Sequence, residues 1–479
     1  MTFRLGRLRV EMPRDIAEYT SSLKFDQEIY REVIVINAVH LKMLARLGHL
    51  SGDTLARGLS ALREAYGNPL EKGDPRLEDV HMVVEDYLVK AVPEAGENLA
   101  LGKSRNDSVA TAIRMRAKSG ALALMESAIV LVEALLVRGV RDAETVYPAT
   151  THHQTAAPAT FGFALTHYAS RILSALNSLV RAYEELDQCP QGAVACSGST
   201  LPIDREWLAE QLGFKRVLAH ALDASSSRDF AVDILSAALK LLIVVSDMAE
   251  WLIHDFTQGL LDMGDEFCST SSIMPQKRNP VLLEVARTKA SEALGEVVRV
   301  ASMIQRRAGG YVLDLQQATP SIWRLLREAE STVRVLSTLV GTLRVDAEAA
   351  LRRCGMEAGM VELANYLTLK YGIGFRRAHK ACGKIARILA EKGLTEEALL
   401  RVCEEEGIPA KLTIGEVSEI LDPRRIVSNY ATLGSANPSE VKRMVEEMGR
   451  RVMELRAWVS ENRRMLEAVV ERAFNAQAL

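Results

Sequence analysis

The chain has 479 residues, 48% of them hydrophobic and 25% charged, with a formal net charge of −3. That is the composition of a soluble globular protein with length for about three domains. The near-neutral balance gives no electrostatic reason to bind nucleic acid or an anionic membrane, whereas a small anionic substrate stays open because a local cationic pocket does not register in a net charge.

The first residues, MTFRLGRLRVEMPRD, carry charge throughout and lack the apolar core of a secretory leader. Residues 1 to about 100 read as short helices broken at GHLSGDT and YGNPLEKGDPRLED. Long helical patterns follow over Ala121 to Glu144, Phe161 to Leu186, Ala231 to Gln258, Pro280 to Arg306 and Pro320 to Leu343. Ala231 to Gln258 holds neither Gly nor Pro, so at ~1.5 Å per residue it forms a rod of roughly 40 Å. Within it, Lys240, Asp247 and Glu250 interrupt the apolar stretch Ile234 to Ile253, as in a buried bundle helix rather than a membrane span. The run LSAALKLLI, Leu235 to Ile243, leaves more apolar surface than one bundle hides, which points to self-association. From about residue 347 shorter helices return, broken at KYGIGF, EKGLTEE and LDPRR, before a charged amphipathic pattern over Val441 to Phe474. The expected fold class is all-α with three domains: an N-terminal helical domain 1–102, a central long-helix bundle 103–346 and a small helical domain 347–479. Six cysteines (Cys189, Cys196, Cys268, Cys354, Cys382, Cys403) lie scattered without a CxxC pair. This argues against a zinc site or disulfide framework and fits a cytoplasmic protein.

One segment breaks the helical rhythm: CSTSSIMPQKRNP, Cys268 to Pro280. Asn279 reads as a helix N-cap and Pro280 as the first helical residue. A hydroxyl-rich loop that ends at a helix start beside Lys277 and Arg278 suits a developing anion, such as the carboxylate-stabilised carbanion left when a neighbouring carbon loses a proton. Composition alone also allows a plain basic connection. Two further polar stretches are TTHHQTAAP, with His152 and His153, and GKSRNDS, where Asn106 or Asp107 reads as a helix cap.

The loop resembles the signature of the fumarase/aspartase superfamily, G-S-S-x-x-M-P-x-K-x-N with one spacing variant, at Ser271, Ser272, Met274, Pro275, Lys277 and Asn279. TTHHQTAAP resembles the superfamily pattern T-H-x-Q-x-A-x-P, and GKSRNDS resembles the S-R-N-D-Q opening of the central bundle in argininosuccinate lyases. The resemblance implies a homotetramer with active sites built from three subunits, no metal and no organic cofactor. Its implied reaction is the reversible elimination of argininosuccinate to arginine and fumarate, a step of arginine biosynthesis. Ser271 is then the general base, activated beside cations with Lys277 foremost, and Lys277, Asn279 and the loop amides steady the dianionic intermediate. His152 serves as acid or substrate contact, with Glu284 holding its tautomer, and His153 is structural. Implied substrate contacts are Ser104, Arg105, Asn106, Thr151 and Gln154. SSLKFDQEIY adds Ser22 and Asp26 near the basic end of the substrate, SSSRDF adds Arg228, and GGYVLDLQ adds Tyr311 and Gln316. EDVHMVVE and FRRAHKACG resemble family motifs read as structural.

The chain departs from the family pattern at four places. Thr270 replaces a glycine, Ala100-Leu101 replace His-Thr, Ser108 replaces Gln, and Thr319 stands where a substrate-contacting lysine belongs. These changes keep open a sister lyase acting on another N-succinyl compound such as adenylosuccinate. A third reading is a catalytically silent helical oligomer of the lens-crystallin kind, which the retained Ser271, Lys277, Asn279 and His152 oppose.

Overall fold

The structure, a computed structural model, describes residues 7–70, 73–305, 309–409 and 411–476. Residues 1–6 of the charged N-terminal run, and Arg306 at the expected end of the fourth long helix, lie outside the described residues.

The labelled elements are α1 (Tyr30–Arg46), α2 (Val80–Ala91), α3 (Arg105–Arg141), β1 (Val146–Thr151), β2 (Gln154–Thr160), α4 (Phe161–Leu186), α5 (Asp229–Thr257), β3 (Ser269–Thr270), β4 (Arg278–Asn279), α6 (Val281–Ile304), α7 (Asp314–Thr342) and α8 (Pro438–Phe474). Five long helices, α3 to α7, form the central bundle. Helix α3 packs on α4 and α7, and α5 packs on α4 and α6. At 37 residues α3 is about 55 Å long. Its buried positions, among them Leu122, Leu124, Met125, Ile129, Leu131 and Leu135, face several neighbours at once, which leaves only a narrow, partly exposed polar line through Ser119, Glu126 and Glu133.

The helix boundaries follow local chemistry. Thr160 accepts a hydrogen bond from the Phe163 amide, which starts α4 at the expected Phe161. Helix α3 begins at Arg105 rather than Ala121: Ser104 is its N-cap and Asp107 completes a capping box, so neither Asn106 nor Asp107 is the cap itself. Helix α7 starts at Asp314, six residues before Pro320. The proline is tolerated in the second turn because buried Leu315, Ala318 and Thr319 pin the turn before it, leaving only the Gln316 carbonyl without a ladder donor. The signature loop corrects another expectation. Asn279 lies in β4, and Pro280 occupies the N-cap of α6.

The all-α fold carries one substantial hairpin, β1–β2, turning at His152 and His153. Both histidines take positive φ, 52° and 59°, as a tight hairpin turn matching the strand twist requires. Its base is fixed by Tyr147, whose ring meets Phe161 and Trp251 and whose hydroxyl donates to Asp255 Oδ2 at 2.6 Å.

Among the described residues, two hydrophobic cores result. The larger runs through α1 to α7 and includes Met448, Val452, Val459 and Val469 of α8, which lies along α3. A smaller one gathers residues from Leu363 to Leu421. Helix α6 is the anomaly. It buries only Leu283, Ala286, Ala293 and Val300, and leaves Val285, Leu294 and Val298 more than half exposed.

Deep in the bundle the Lys118 ammonium pairs with the Asp187 carboxylate, donates to the Gly213 carbonyl at 2.6 Å and lies over the Phe214 ring. Both side chains are buried, so truncating one strands the other charge in an apolar medium. Lys118→Ala should lower stability by about 3–5 kcal/mol, whereas Lys118→Met with Asp187→Leu should recover most of that loss. Denaturant unfolding at fixed protein concentration checks both.

Candidate active site

The predicted site residues fall into three groups within one chain. The first lines a cavity of about 230 Å³ bounded by Glu78, Asp79, Arg105, Asn106, Tyr311 and Gln316. Its floor is set by the start of α3. The Asp107 carboxylate, fully buried, accepts from the amides of Ser104 (3.1 Å), Gly192 (3.0 Å) and Val194 (2.9 Å). Burial pushes Asp107 up to about 6, and the three amides pull the other way. Those bonds hold Val194 at φ 58°, a costly conformation for a β-branched residue. Asn106 extends the same clamp by donating to the Ala195 carbonyl at 3.2 Å. Ser104 accepts from the Asn106 amide at 3.2 Å, so its hydroxyl oxygen is committed to the cap.

Arg105 is not free for a substrate carboxylate. Its Nη1 donates to Glu78 Oε2 at 2.9 Å and Asp79 Oδ2 at 3.0 Å. Glu78 and Asp79 belong to the EDVHMVVE segment read from sequence as structural, and they are functional candidates that reading missed. Glu78 sits at φ 66°. Its carbonyl accepts from the Ser22 amide (2.9 Å) and the Ser21 hydroxyl (2.8 Å), tying the N-terminal segment to the cavity wall. Two adjacent carboxylates ahead of an apolar helix were the available signal. Lys103, donating to Asn37 and pushed down to about 8 by burial, is a second cation behind this wall.

Across the cavity the Tyr311 hydroxyl donates to Gln316 Oε1 at 3.2 Å. Burial raises the Tyr311 pKa, with the Arg228 charge opposing it. Arg228 itself is buried at the N-cap of α5 and donates to the Ser227 carbonyl, behind the cavity rather than in its lining. Thr319 is also buried, its hydroxyl donating to the Leu315 carbonyl.

The second group is the hairpin tip. Thr151, His152 and Gln154 are exposed, and His152 makes no side-chain hydrogen bond or ion pair among the described residues. The third is the signature loop. Ser271 Oγ accepts from the amides of Ile273 (3.3 Å) and Met274 (3.0 Å), and the Ser271 amide donates to the Lys277 carbonyl at 3.4 Å. Two amide donors aimed at one hydroxyl oxygen stabilise its alkoxide form. The groups that touch Ser271 are therefore amides of its own loop rather than the Lys277 ammonium, which is exposed. Thr270 is paired with Arg278 in the short ladder β3–β4, where a β-branched residue is at home. Glu284 is in the first turn of α6 as expected, exposed, and does not meet His152 within the chain. Among the described residues no hydrogen bond or ion pair joins the cavity, the hairpin tip and the loop.

Comparison with known proteins bears on all three groups. A family profile described as lyase matches residues 6–295, and one described as argininosuccinate lyase C-terminal matches residues 358–428. The chain is 34% identical to an argininosuccinate lyase of Methanothermobacter thermautotrophicus, covering 94% of this chain and 98% of the relative. It is 33% identical to one of Methanoculleus marisnigri, covering 98% and 96%. Among solved structures, EDDS lyase in complex with formate superposes with a TM-score of 0.86 at 21% identity over 98% of this chain and 96% of that one. A class II fumarase from Schistosoma mansoni superposes at 0.70 and 18% over 88% and 94%.

Asp26, which accepts from the Ser22 hydroxyl, is near Asp79 and Tyr311 of the cavity. Burial pushes it up to about 7, the Ser22 hydroxyl pulls it down, and Asp79 adds to the rise. Because the folded pKa lies above the ordinary 3.8, this group favours folding most at low pH and gives that up as pH rises from about 4 to about 7. Its anionic form becomes the major one only above about 7. A substrate with a cationic end should therefore show a KM that falls as pH rises through 7, and Asp26→Asn should raise KM and flatten the dependence. Steady-state kinetics between pH 5.5 and 8.5, about 1.5 units either side, tests this.

Proposed function

The chain belongs to the argininosuccinate lyase family of the fumarase/aspartase superfamily, and from that premise we propose how its residues divide the work. It is a carbon–nitrogen lyase that releases fumarate, and its reaction is the reversible elimination of argininosuccinate to arginine and fumarate. The observation that carries this is identity of 31–34% to several argininosuccinate lyases along nearly the whole chain.

Ser271 is the general base. Its alkoxide, steadied by the Ile273 and Met274 amides, takes a proton from the succinyl carbon beside a carboxylate. The electron pair moves into that carboxylate, where Lys277, Asn279 and further loop amides hold the added charge. The pair then returns to form the carbon–carbon double bond and expels the guanidine nitrogen, which takes a proton from His152. Glu284 orients His152. Thr151 and Gln154 flank that histidine, while Asn106, Tyr311 and Gln316 hold the substrate in the cavity; Ser104 and Arg105 shape its edge through the helix cap and the pairs with Glu78 and Asp79, and Ser22, Asp26 and Arg228 stand behind its wall. Glu78 and Asp79 add negative charge there, which suits the guanidinium end.

The working unit is a homotetramer with sites shared between subunits. The separation of cavity, hairpin tip and loop in one chain favours this, since each carries part of the chemistry and no hydrogen bond or ion pair joins them among the described residues. The exposed apolar residues of α6 favour it too, because Val285 on one flank of the buried stripe and Leu294 and Val298 on the other lose their contact with water on association. Six free cysteines, four of them buried, suit a cytoplasmic role in arginine biosynthesis.

Fumarate release from argininosuccinate, assayed beside adenylosuccinate and aspartate, tests the substrate. Turnover of another succinyl amine without argininosuccinate would overturn the assignment. Ser271→Ala should cut turnover at least a thousandfold with the fold and Tm unchanged, because it removes the group that accepts the proton; retention of a tenth of wild-type activity would remove Ser271 as base. Mixing Ser271→Ala with His152→Asn subunits should restore partial activity after exchange. Verified exchange with no recovery would argue for sites built within one chain.

A further inference from the structure

We propose that Arg278 is a positioning residue that latches the catalytic loop to the end of the bundle and so holds Ser271 and Lys277 in register. This rests on the reading of Ser271 as base. The loop is a closed hairpin: Ser269 pairs with Asn279, Thr270 pairs with Arg278, and the Ser271 amide reaches the Lys277 carbonyl. Residues 272–278 are exposed, so burial contributes little to their order. One side chain reaches back from this hairpin to a rigid base. Arg278 Nη1 donates to Asp262 Oδ1 at 3.0 Å, and Nη2 donates to the Met263 carbonyl at 2.7 Å and pairs with Asp265 Oδ1 at 3.0 Å. The guanidinium also lies 5.8 Å from the Phe256 ring centroid at the end of α5.

That base does not move easily. Leu261 and Asp262 pair with Val345 and Arg344, Met263 is fully buried, and Phe267 is packed in the main core. A single exposed ion pair contributes little to stability. Here the planar fork engages two carboxylates and a carbonyl at once, and the restraint falls on an exposed segment whose other backbone bonds among the described residues stay within its own hairpin. Its effect is therefore expected in the precision of the loop rather than in the stability of the fold. A lysine at 278 keeps the charge and loses the fork.

The test compares Arg278→Ala, Arg278→Lys, the pair Asp262→Asn with Asp265→Asn, the combination of Arg278→Ala with that pair, and Ser271→Ala as reference. Arg278→Ala should lower kcat at least tenfold with KM changed less than threefold. The asparagine pair should match it, and the combination should be no worse than either. Arg278→Lys should recover part of kcat. Amide hydrogen exchange over residues 271–277 should speed up in Arg278→Ala while exchange in α5 stays unchanged. A kcat within twofold of wild type, additive losses, or unchanged exchange in the loop would each overturn the latch. If Ser271→Ala retains activity, the base assignment fails, and hydrogen exchange still decides whether Arg278 orders the loop. Should Arg278→Ala fail to assemble, the lysine variant and the asparagine pair give the same comparison.

Discussion

The Asp107 carboxylate is the constraint on which the cavity depends. Buried at the first turn of the 37-residue α3, it accepts three amides from two separate stretches of chain. A helix start leaves its first amides without intrahelical partners, and the capping box answers part of that need. The same carboxylate also holds the Gly192–Val194 segment in a backbone conformation that Val194 would not adopt alone. Arg105 and Asn106, the next residues along, are therefore presented from a fixed edge. Arg105 is pinned in turn by Glu78 and Asp79, and Glu78 binds the backbone of Ser22. The wall is a continuous polar chain from the N-terminal segment through α2 to α3.

The bundle has a different relation to the reactive groups. Its helices supply length and rigidity, and the residues assigned to proton transfer stand outside it, on a hairpin tip and on an exposed loop. A buried serine or histidine would have its charged form suppressed by desolvation, as happens to carboxylates such as Asp26 in this chain. On the surface these groups keep their chemistry, and the proposed association of subunits would then exclude water around them. The exposed apolar residues of α6 follow Glu284 along the same helix, so the helix proposed to take part in association also carries the residue proposed to orient His152.

How far the site could be read from sequence varied with the kind of contact. Ser271, Lys277 and Asn279 stand out because hydroxyls, a proline and cations interrupt two apolar helices. What touches Ser271 was not legible, since the Ile273 and Met274 amides exist in every sequence and only the turn aims them. The hairpin was missed because TTHHQTAAP lacks the Gly or Asn that usually marks such a turn, and two histidines take positive φ instead. The start of α3 was read sixteen residues late because Arg105 to Gly120 mixes polar and small residues that blur the helical period. Glu78 and Asp79 passed as structural, although their carboxylates are what engage Arg105.

By itself the sequence determined the class of fold, the long helices and the residue types of the chemistry. Periodicity, caps and the order of hydroxyl, proline and cation are local properties, written within ten or twenty residues. Tertiary structure alone decided that Arg105 is paired, that Arg228 and Thr319 are buried behind the cavity, and that His152 and Glu284 do not meet in one chain. Each of those outcomes depends on groups brought together from distant parts of the chain, whose burial and partners are set by packing and leave no local mark on the residues themselves.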